Sequence, residues 1–404
     1  MAISAVAGNH GEDVRSYCQI ELQLTEKDGI RIELESKIEV LYGRQNRHLI
    51  SGILDFFGID HALVRVKDSG ALDFVLAARM EAVINKLITT QKEYFLPVRP
   101  ELIQLSSREA RRYTRLYLPG NTPKMMINAG IHKPDGIILD LEDSVAPEKK
   151  DEARFLVRNA LTQIDFYGAE KMVRINQLPA GLEDLKYIVT HQVQVILIPK
   201  CEDPSQVHKV NDSIQQLLQA SQQSREIFLL PILESALGIE NAYNIASAAD
   251  NIIALAIGLE DYTADLGVAR TREGKESLYA RTRLVNACKA AGIQAIDSVF
   301  SDTADEEGLA IAVRESKSLG FSGMGCIHPR QIEIIRAGYL PDQEEIQKAI
   351  KIVQSFEAAQ ATGKGVVALG TKMIDPPVVK RAIRVVDEAV YAGLLPGSWR
   401  EIND

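Results

Sequence analysis

Residues 136–147 read GIILDLEDSVAP. The apolar run Ile137, Ile138 and Leu139 leads straight into Asp140, Glu142 and Asp143, three carboxylates within four residues. An apolar run this short and continuous suits a strand buried on both faces, as in parallel sheets. Its charge is confined to the C-terminal end. Surface solvation is the plainest account of such an end. The alternative is a metal-dependent active site, because converging carboxylates repel one another unless a cation lies between them.

Seven other runs share the character of this one. They are TRLYLPG (114–120), KMVRIN (171–176), VILIPK (195–200), IFLLPILES (227–235), IIALAIGLED (252–261), QAIDSVF (294–300) and SGMGCIHP (322–329). Segments of helical length separate them. Eight buried-type strands alternating with helices predict an α/β fold with a parallel sheet, and eight strands close a (β/α)8 TIM barrel. An open doubly wound sheet has the same periodicity. The position of the polar residues favours the barrel: strand after strand ends in one, and barrel chemistry sits at the C-terminal rim. In chain order these ends are the Asp140, Glu142 and Asp143 group, Arg174 and Asn176, Lys200, Glu234, Glu260 and Asp261, Asp297, and His328.

The N-terminal part has a different rhythm. Residues 18–36, CQIELQLTEKDGIRIELES, alternate apolar and polar on both sides of a Lys-Asp-Gly break, which predicts a β-hairpin. RQNRHLISGILDFFGI (44–59) places Leu49, Ile50, Ile53, Leu54 and Phe57 on one helical face, and residues 61–87 read as a short strand and a longer helix. A small α+β domain over residues 1–91 is expected, then a linker over 92–111 with Pro97 and Pro100, then the barrel and a C-terminal helical segment over 112–404.

Bulk properties narrow the function. The 404 residues carry a net charge of −9, which argues against a binder of nucleic-acid backbone. No run of eighteen apolar residues is present, so no membrane span is expected. The first residues lack the basic and apolar regions of a secretion signal, and a cytoplasmic location is expected. Cys18, Cys201, Cys288 and Cys326 are scattered, which fits reduced thiols used for packing.

The strand-end acids form an all-oxygen set that suits a hard ion such as Mg2+. Asp140, Glu142 and Asp143 have a second reading, as caps of the helix containing EKKDEARFLV. Glu234 follows LLPIL directly, where an unpaired carboxylate is costly to bury, so a ligand role is favoured there and at Asp261. Arg174, between Val173 and Ile175, needs an anionic partner, either a substrate carboxylate or a neighbouring strand-end acid. Lys200 is read as a Schiff-base lysine or a salt-bridge partner, and His328 as a buried imidazole bonded to backbone.

The ordered motifs RLYLPGN, ILDLEDSVAPEKKDEAR, VRIN, LIPK, LPILESALGIENA, AIGLEDYTADLG, AIDSVFSDTADEEG, GFSGMGCIHPRQI and MIDPPVVKRA, within residues 111–385, resemble the citrate lyase β chain (citryl lyase). That family is one of a group of Mg2+-dependent lyases acting on malyl-, citramalyl- and citryl-thioesters. The resemblance implies a TIM barrel, a trimer or a multiple of one, and cleavage of a citryl thioester to oxaloacetate and an acetyl thioester. It implies Glu234 and Asp261 as Mg2+ ligands and Arg174 with Glu234 as the groups that bind the oxo acid. Asp375 matches an acid that acts on a neighbouring subunit's site and moves the proton. Lys200 then needs no Schiff base and, with Asp140, Glu142 and Asp143, falls into a layer around the metal that orients its waters.

Residues 32–84 resemble the citrate lyase γ chain, an acyl carrier bearing a CoA-derived arm on a serine, with KDSGALD (67–73) and Arg79 as the matching features. The arm's serine aligns with Arg15, and Ser16 one place on is the candidate attachment site. The alternative is a carrier domain that has lost its arm, leaving a lyase for free CoA thioesters such as malyl- or citramalyl-CoA. Arg270 and Arg272 would then meet CoA phosphates or form a solvated basic loop. A third reading is a carrier and scaffold subunit that docks a transferase partner, the citrate lyase α subunit.

Overall fold

The computed structural model describes residues 3–11, 14–361, 367–369 and 372–401. Four strands, β1 (Ser4–Gly8), β2 (Cys18–Leu24), β3 (Ile30–Ser36) and β4 (Ala62–Asp68), form a sheet in the order β1-β2-β4-β3. The helices Glu39–Phe57 and Asp73–Leu87 pack on it through Ile50, Ile53, Leu54, Val75 and Leu76. The expected hairpin is not formed. β4 lies between its two arms, antiparallel to β2 and parallel to β3. The cause is hydrophobic ordering across the sheet: Ala62, Val64 and Val66 of β4 are buried, whereas β3 exposes Ile30 and Arg31 and suits an edge.

Strands β5 (Thr114–Pro119), β6 (Gly136–Asp140), β7 (Glu170–Arg174), β8 (Val195–Ile198), β9 (Phe228–Leu233), β10 (Ala254–Ile257), β11 (Gln294–Asp297) and β12 (Gly323–Cys326) follow. They are parallel and close into a barrel in sequence order, with β12 returning to β5. The eight apolar runs therefore supply the eight staves. Ile138, Met172, Leu197, Phe228, Leu230 and Ile232 fill the interior, while Leu116, Leu139 and Val173 face the surrounding helices.

The N-terminal domain is fastened to the barrel's outer helix Lys150–Gln163 by buried charge. Arg158 forks onto both oxygens of Glu81, and both side chains are almost fully buried. Arg79, also fully buried, donates to the Glu152 carbonyl at 2.8 Å and to the Tyr17 hydroxyl at 2.7 Å. The Glu152 carboxylate accepts the Gly8 N–H at 2.8 Å and the Lys86 ammonium at 2.7 Å. Removing one partner of such pairs leaves a buried charge uncompensated, so the two parts are strongly held together. The contact runs along this helix, from Glu152 in its first turn to Arg158 and Asn159 two turns further on.

Beyond the barrel, the helices Gln343–Ala361 and Pro376–Tyr391 pack through Ala349, Val353, Ala382 and Val386. The last turn of the second is tied to the segment entering β5: Arg111 pairs with Glu388 at 3.1 Å and lies over the Tyr391 ring. All four cysteines are buried free thiols, with burial pushing each up to about 12.

Candidate active site

The C-terminal ends of the strands surround a cavity of about 630 Å³, lined by Asp140, Arg174, Glu234, Asp261, Asp297 and His328 among others. Asp140 ends β6 and Arg174 ends β7, and the two are register partners on adjacent strands. Arg174 therefore meets Asp140 in a two-bond fork, Nε to Oδ1 and Nη2 to Oδ2, both 2.7 Å. Asp140 also accepts the backbone N–H groups of Glu142 and Ser144, which folds the turn after the strand. The helix-cap reading of this acidic group does not hold: the helix Lys150–Gln163 starts after Lys149 and has no side-chain cap.

The remaining arm of Arg174, Nη1, lies 2.7 Å from Glu142 Oε2 and 3.9 Å from Asp143 Oδ2. Its angle to Glu142 falls outside hydrogen-bond geometry, since Glu142 Oε2 is buried without a hydrogen-bond partner. Burial raises Glu142 to about 7 against the pull of Arg174, with Asp143 adding to the rise. Burial pushes Asp140 the same way, but the Arg174 hydrogen bonds and charge win and hold it below the usual carboxylate range. The Arg174 guanidinium lies over the Tyr117 ring, 5.5 Å from its centre.

Glu234 stands just past β9, and only 5% of its surface is exposed. Its Oε1 accepts the Lys200 N–H at 2.7 Å, a bond that Lys200 offers from a left-handed backbone with φ of +46°. Strain of that kind in a non-glycine residue is a feature of sites that need one orientation. On the other side Gly258 leaves space: a Cβ there would stand 2.4 Å from Glu234 Oε2. Burial raises Glu234 to about 8, and Glu142 and Asp261 add to the rise. Asp261 lies in the first turn of the short helix Leu259–Asp265, half-exposed, 3.5 Å from the Lys200 ammonium. That ammonium also lies 3.7 Å from Glu142, so Lys200 bridges the two carboxylates and is tethered as an ion-pair partner.

Among the described residues the ion pairs of Asp140, Glu142, Asp143 and Asp261 are with Arg174 and Lys200, and Glu234 has none. The negative charge is in excess. Among the described residues no three His, Cys, Asp or Glu side chains form a preformed metal cage. An ion held by one or two carboxylates and completed by water and substrate is the arrangement Mg2+ favours, and the oxygen donors of Glu234 and Asp261 fit it.

Other expected residues are placed differently. Asp297 lines the cavity but is paired with Arg281 at 2.7 Å. Asn176 points to Asp184 and the Lys150 ammonium. His328 is half-exposed at the cavity edge, and its Nδ1 accepts the Arg330 N–H, so its backbone bond is present while the expected burial is not. Arg270 is held by Glu260 and the Val299 carbonyl, and Arg272 is exposed. Asp375 is not among the residues lining the cavity. It caps the helix Pro376–Tyr391 by accepting the Val378 N–H at 3.1 Å. Ser16 is half-buried, with φ of +55°, beside the Tyr17 that Arg79 holds. Two cavity residues, Tyr117 and Arg115, had no place in the sequence-based expectations. The signal was their spacing, since Arg115 and Tyr117 alternate with Leu116 and Leu118 and so share the interior face.

The raised values of Glu234 and Glu142 have a consequence for stability. Between the ordinary carboxylate range and pH 7 to 8, the folded metal-free chain holds protons that the unfolded chain has released. Its stability is therefore expected to fall as pH rises through that window. Mg2+ binds the ionised form, so the stabilisation it confers is expected to grow with pH. Thermal unfolding at pH 5, 6, 7 and 8, with chelator or with Mg2+, measures both slopes. A metal-free stability that rises toward pH 8 would contradict the charge excess described.

A family model for the HpcH/HpaI aldolase/citrate lyase family matches residues 113–329, and one for the malonate decarboxylase delta subunit (MdcD) matches residues 5–87. The chain is 39% identical over 283 residues to the citrate lyase subunit beta of Leuconostoc mesenteroides subsp. cremoris, covering 69% of this chain and 94% of that protein. It is 33% identical to the mitochondrial citramalyl-CoA lyase of Mus musculus, covering 71% and 89%. In three dimensions it is similar to the protein CitE from Mycobacterium tuberculosis, solved in complex with magnesium, acetoacetate and coenzyme A. The TM-score is 0.59 at 29% identity, over 70% of this chain and 99% of that one.

Proposed function

Because this chain belongs to the HpcH/HpaI aldolase/citrate lyase family, we propose that it is a Mg2+-dependent carbon–carbon lyase that cleaves a citryl thioester to oxaloacetate and an acetyl thioester. The observation that carries the choice of substrate is the pairing of a citrate lyase β-type barrel with a carrier-type domain in one chain. Citryl cleavage on a carrier needs both parts, and here the carrier-type domain is fastened to the barrel's outer helix Lys150–Gln163.

Cleavage removes the proton of the tertiary hydroxyl, breaks the bond to the carbon α to the thioester, and leaves the electron pair there as an enolate. Mg2+, held by Glu234 and Asp261, would lower the pKa of the hydroxyl and polarise the product's new carbonyl. Glu234, fixed by the Lys200 N–H and the gap at Gly258, presents one carboxylate oxygen without rotational freedom. Arg174, with Nε and Nη2 committed to Asp140, can turn only its Nη1 edge to a substrate carboxylate in exchange for Glu142. Asp140, Glu142, Asp143 and Lys200 surround these groups and set their orientation. Asp375, arriving from a neighbouring subunit of a trimer or a multiple of one, would take up the hydroxyl proton and deliver it to the enolate carbon.

A second reading, a citramalyl- or malyl-CoA lyase with an unmodified carrier domain, is favoured by Arg15 at the position where the carrier serine aligns and by the citramalyl-CoA lyase relative. On the first reading Ser16 carries a CoA-derived arm, the chain resides in the cytoplasm, and a transferase of the citrate lyase α type is its partner. A panel of citryl-, citramalyl- and malyl-CoA, with and without Mg2+, is expected to show the highest kcat/KM for the citryl thioester and none without metal. The intact mass of the chain from its native host should exceed the sequence mass by several hundred daltons, lost on Ser16→Ala. An unmodified mass together with faster citramalyl-CoA cleavage would replace the first reading by the second.

A further inference from the structure

Arg115 is the second residue of β5 and points into the barrel. Its register partners are Gly136 on β6 and Gly325 on β12. A Cβ at Gly136 would meet Met172 at 2.6 Å and lie in ordinary contact, 3.5 Å, with the Arg115 Cγ. The side chain is 1% exposed, and its Nε and Nη1 have no hydrogen-bond partner. The other buried arginines each have a carboxylate: Arg79 has Glu152, Arg112 has Glu170, Arg158 has Glu81 and Arg281 has Asp297. Among the described residues Arg115 has none. The ionisable groups that act on it most are Tyr117, Cys326, Arg112 and Tyr339. A guanidinium does not shed its proton in a protein, and an unpaired buried charge is strongly destabilising.

Arg115 lines the same cavity as Glu234, Asp261 and Arg174. Tyr117, two residues on and on the same face, feels the charge of Arg115 together with those of Arg174, Asp140 and Glu234. Tyr117 thus lies where the charge of Arg115 and the charges of the rim groups are both felt, on the barrel's inner side.

Building on the citryl lyase reading, we propose that Arg115 is the receptor for the carboxymethyl carboxylate of the substrate, the group that citryl thioesters have and citramalyl or malyl thioesters lack. The hydroxyl and the carboxylate on the same carbon face the rim. The CH2–COO− arm then points inward and finds the donors that nothing else in the barrel uses. The same carbon in the other two substrates bears CH3 or H, which would leave Arg115 unpaired. Arg115 thereby selects a product oxo acid with two carboxylates over one with a single carboxylate.

Calorimetry with the full metal-free chain tests this without turnover, using citrate and citramalate, which differ by that one carboxylate. The wild type is expected to bind citrate at least 10-fold more tightly, Arg115→Met to bind the two alike, and Arg115→Lys to fall between. With Mg2+, Arg115→Met is expected to lower kcat/KM for citryl-CoA by roughly 10² to 10³-fold relative to citramalyl-CoA. Arg115→Met should fold at least as stably as the wild type, since it removes an unpaired buried charge. Equal affinities for the two acids in the wild type overturn the assignment, as does an unchanged citryl to citramalyl ratio in a folded Arg115→Met. If no thioester is cleaved but the citrate preference is present and lost in Arg115→Met, the lyase substrate reading fails and the anion site stands.

Discussion

Glu234→Gln is expected to lower Mg2+-dependent kcat/KM for thioester cleavage by about 10³-fold or more, the loss of ~4 kcal/mol of transition-state stabilisation. The substitution is close to isosteric. An amide oxygen still accepts the Lys200 N–H and still fits against Gly258, so the backbone strain at Lys200 stays supported. What disappears is the negative charge, and the metal-free protein resists that charge, as the value of about 8 for Glu234 shows. The variant should therefore be at least as stable as the wild type without metal, and should gain less from Mg2+. Calorimetry of Mg2+ binding separates the cause from general damage: affinity should fall along with activity. Turnover within a few-fold of the wild type would remove Glu234 from the chemistry and favour the scaffold reading.

The same residue shows what a sequence can disclose. A carboxylate directly after LLPIL is conspicuous because burying it costs free energy, and that cost is visible without coordinates. The eight barrel strands are legible for a similar reason, since burial on both faces leaves an apolar run with no alternation to confuse it. Strand adjacency is not carried by such runs. Residues 18–24 and 30–36 alternate as a hairpin would, yet β4 is inserted between them because its apolar residues favour the centre of the sheet. Register is equally hidden. Arg174 could be assigned an anionic partner from its apolar neighbours, but only the Asp140 and Arg174 pairing across β6 and β7 decides that a strand-end acid occupies two of its nitrogens. Arg115 escaped notice because one arginine in an apolar strand reads as a flank residue until its place in the cavity lining and its lack of a carboxylate partner are seen.

Asp375→Asn is expected to lower kcat by roughly 10² to 10⁴-fold, the range for loss of a proton-transfer group, with a much smaller change in KM. The residue caps the helix Pro376–Tyr391 through the Val378 N–H, and Asn caps as well as Asp does, so the helix should persist. The opposite end of this helix is anchored by Glu388 on Arg111, just before β5 enters the barrel at the face away from the mouth. With a rise of 1.5 Å per residue, Asp375 lies roughly 20 Å along the helix from that anchor. It is also not among the residues that line its own chain's cavity. In the proposed mechanism a neighbouring copy presents this acid to the site. Chains carrying Asp375→Asn and chains carrying Glu234→Gln, each inactive alone, should then regain activity when assembled together. A cyclic arrangement mixed one to one gives intact Glu234 and intact Asp375 at roughly a quarter of the sites, which sets the expected recovery. Mass spectrometry of the intact assemblies verifies the mixing. Verified mixed assemblies with no recovered activity would overturn the action across subunits and leave Asp375 a role within its own chain or none.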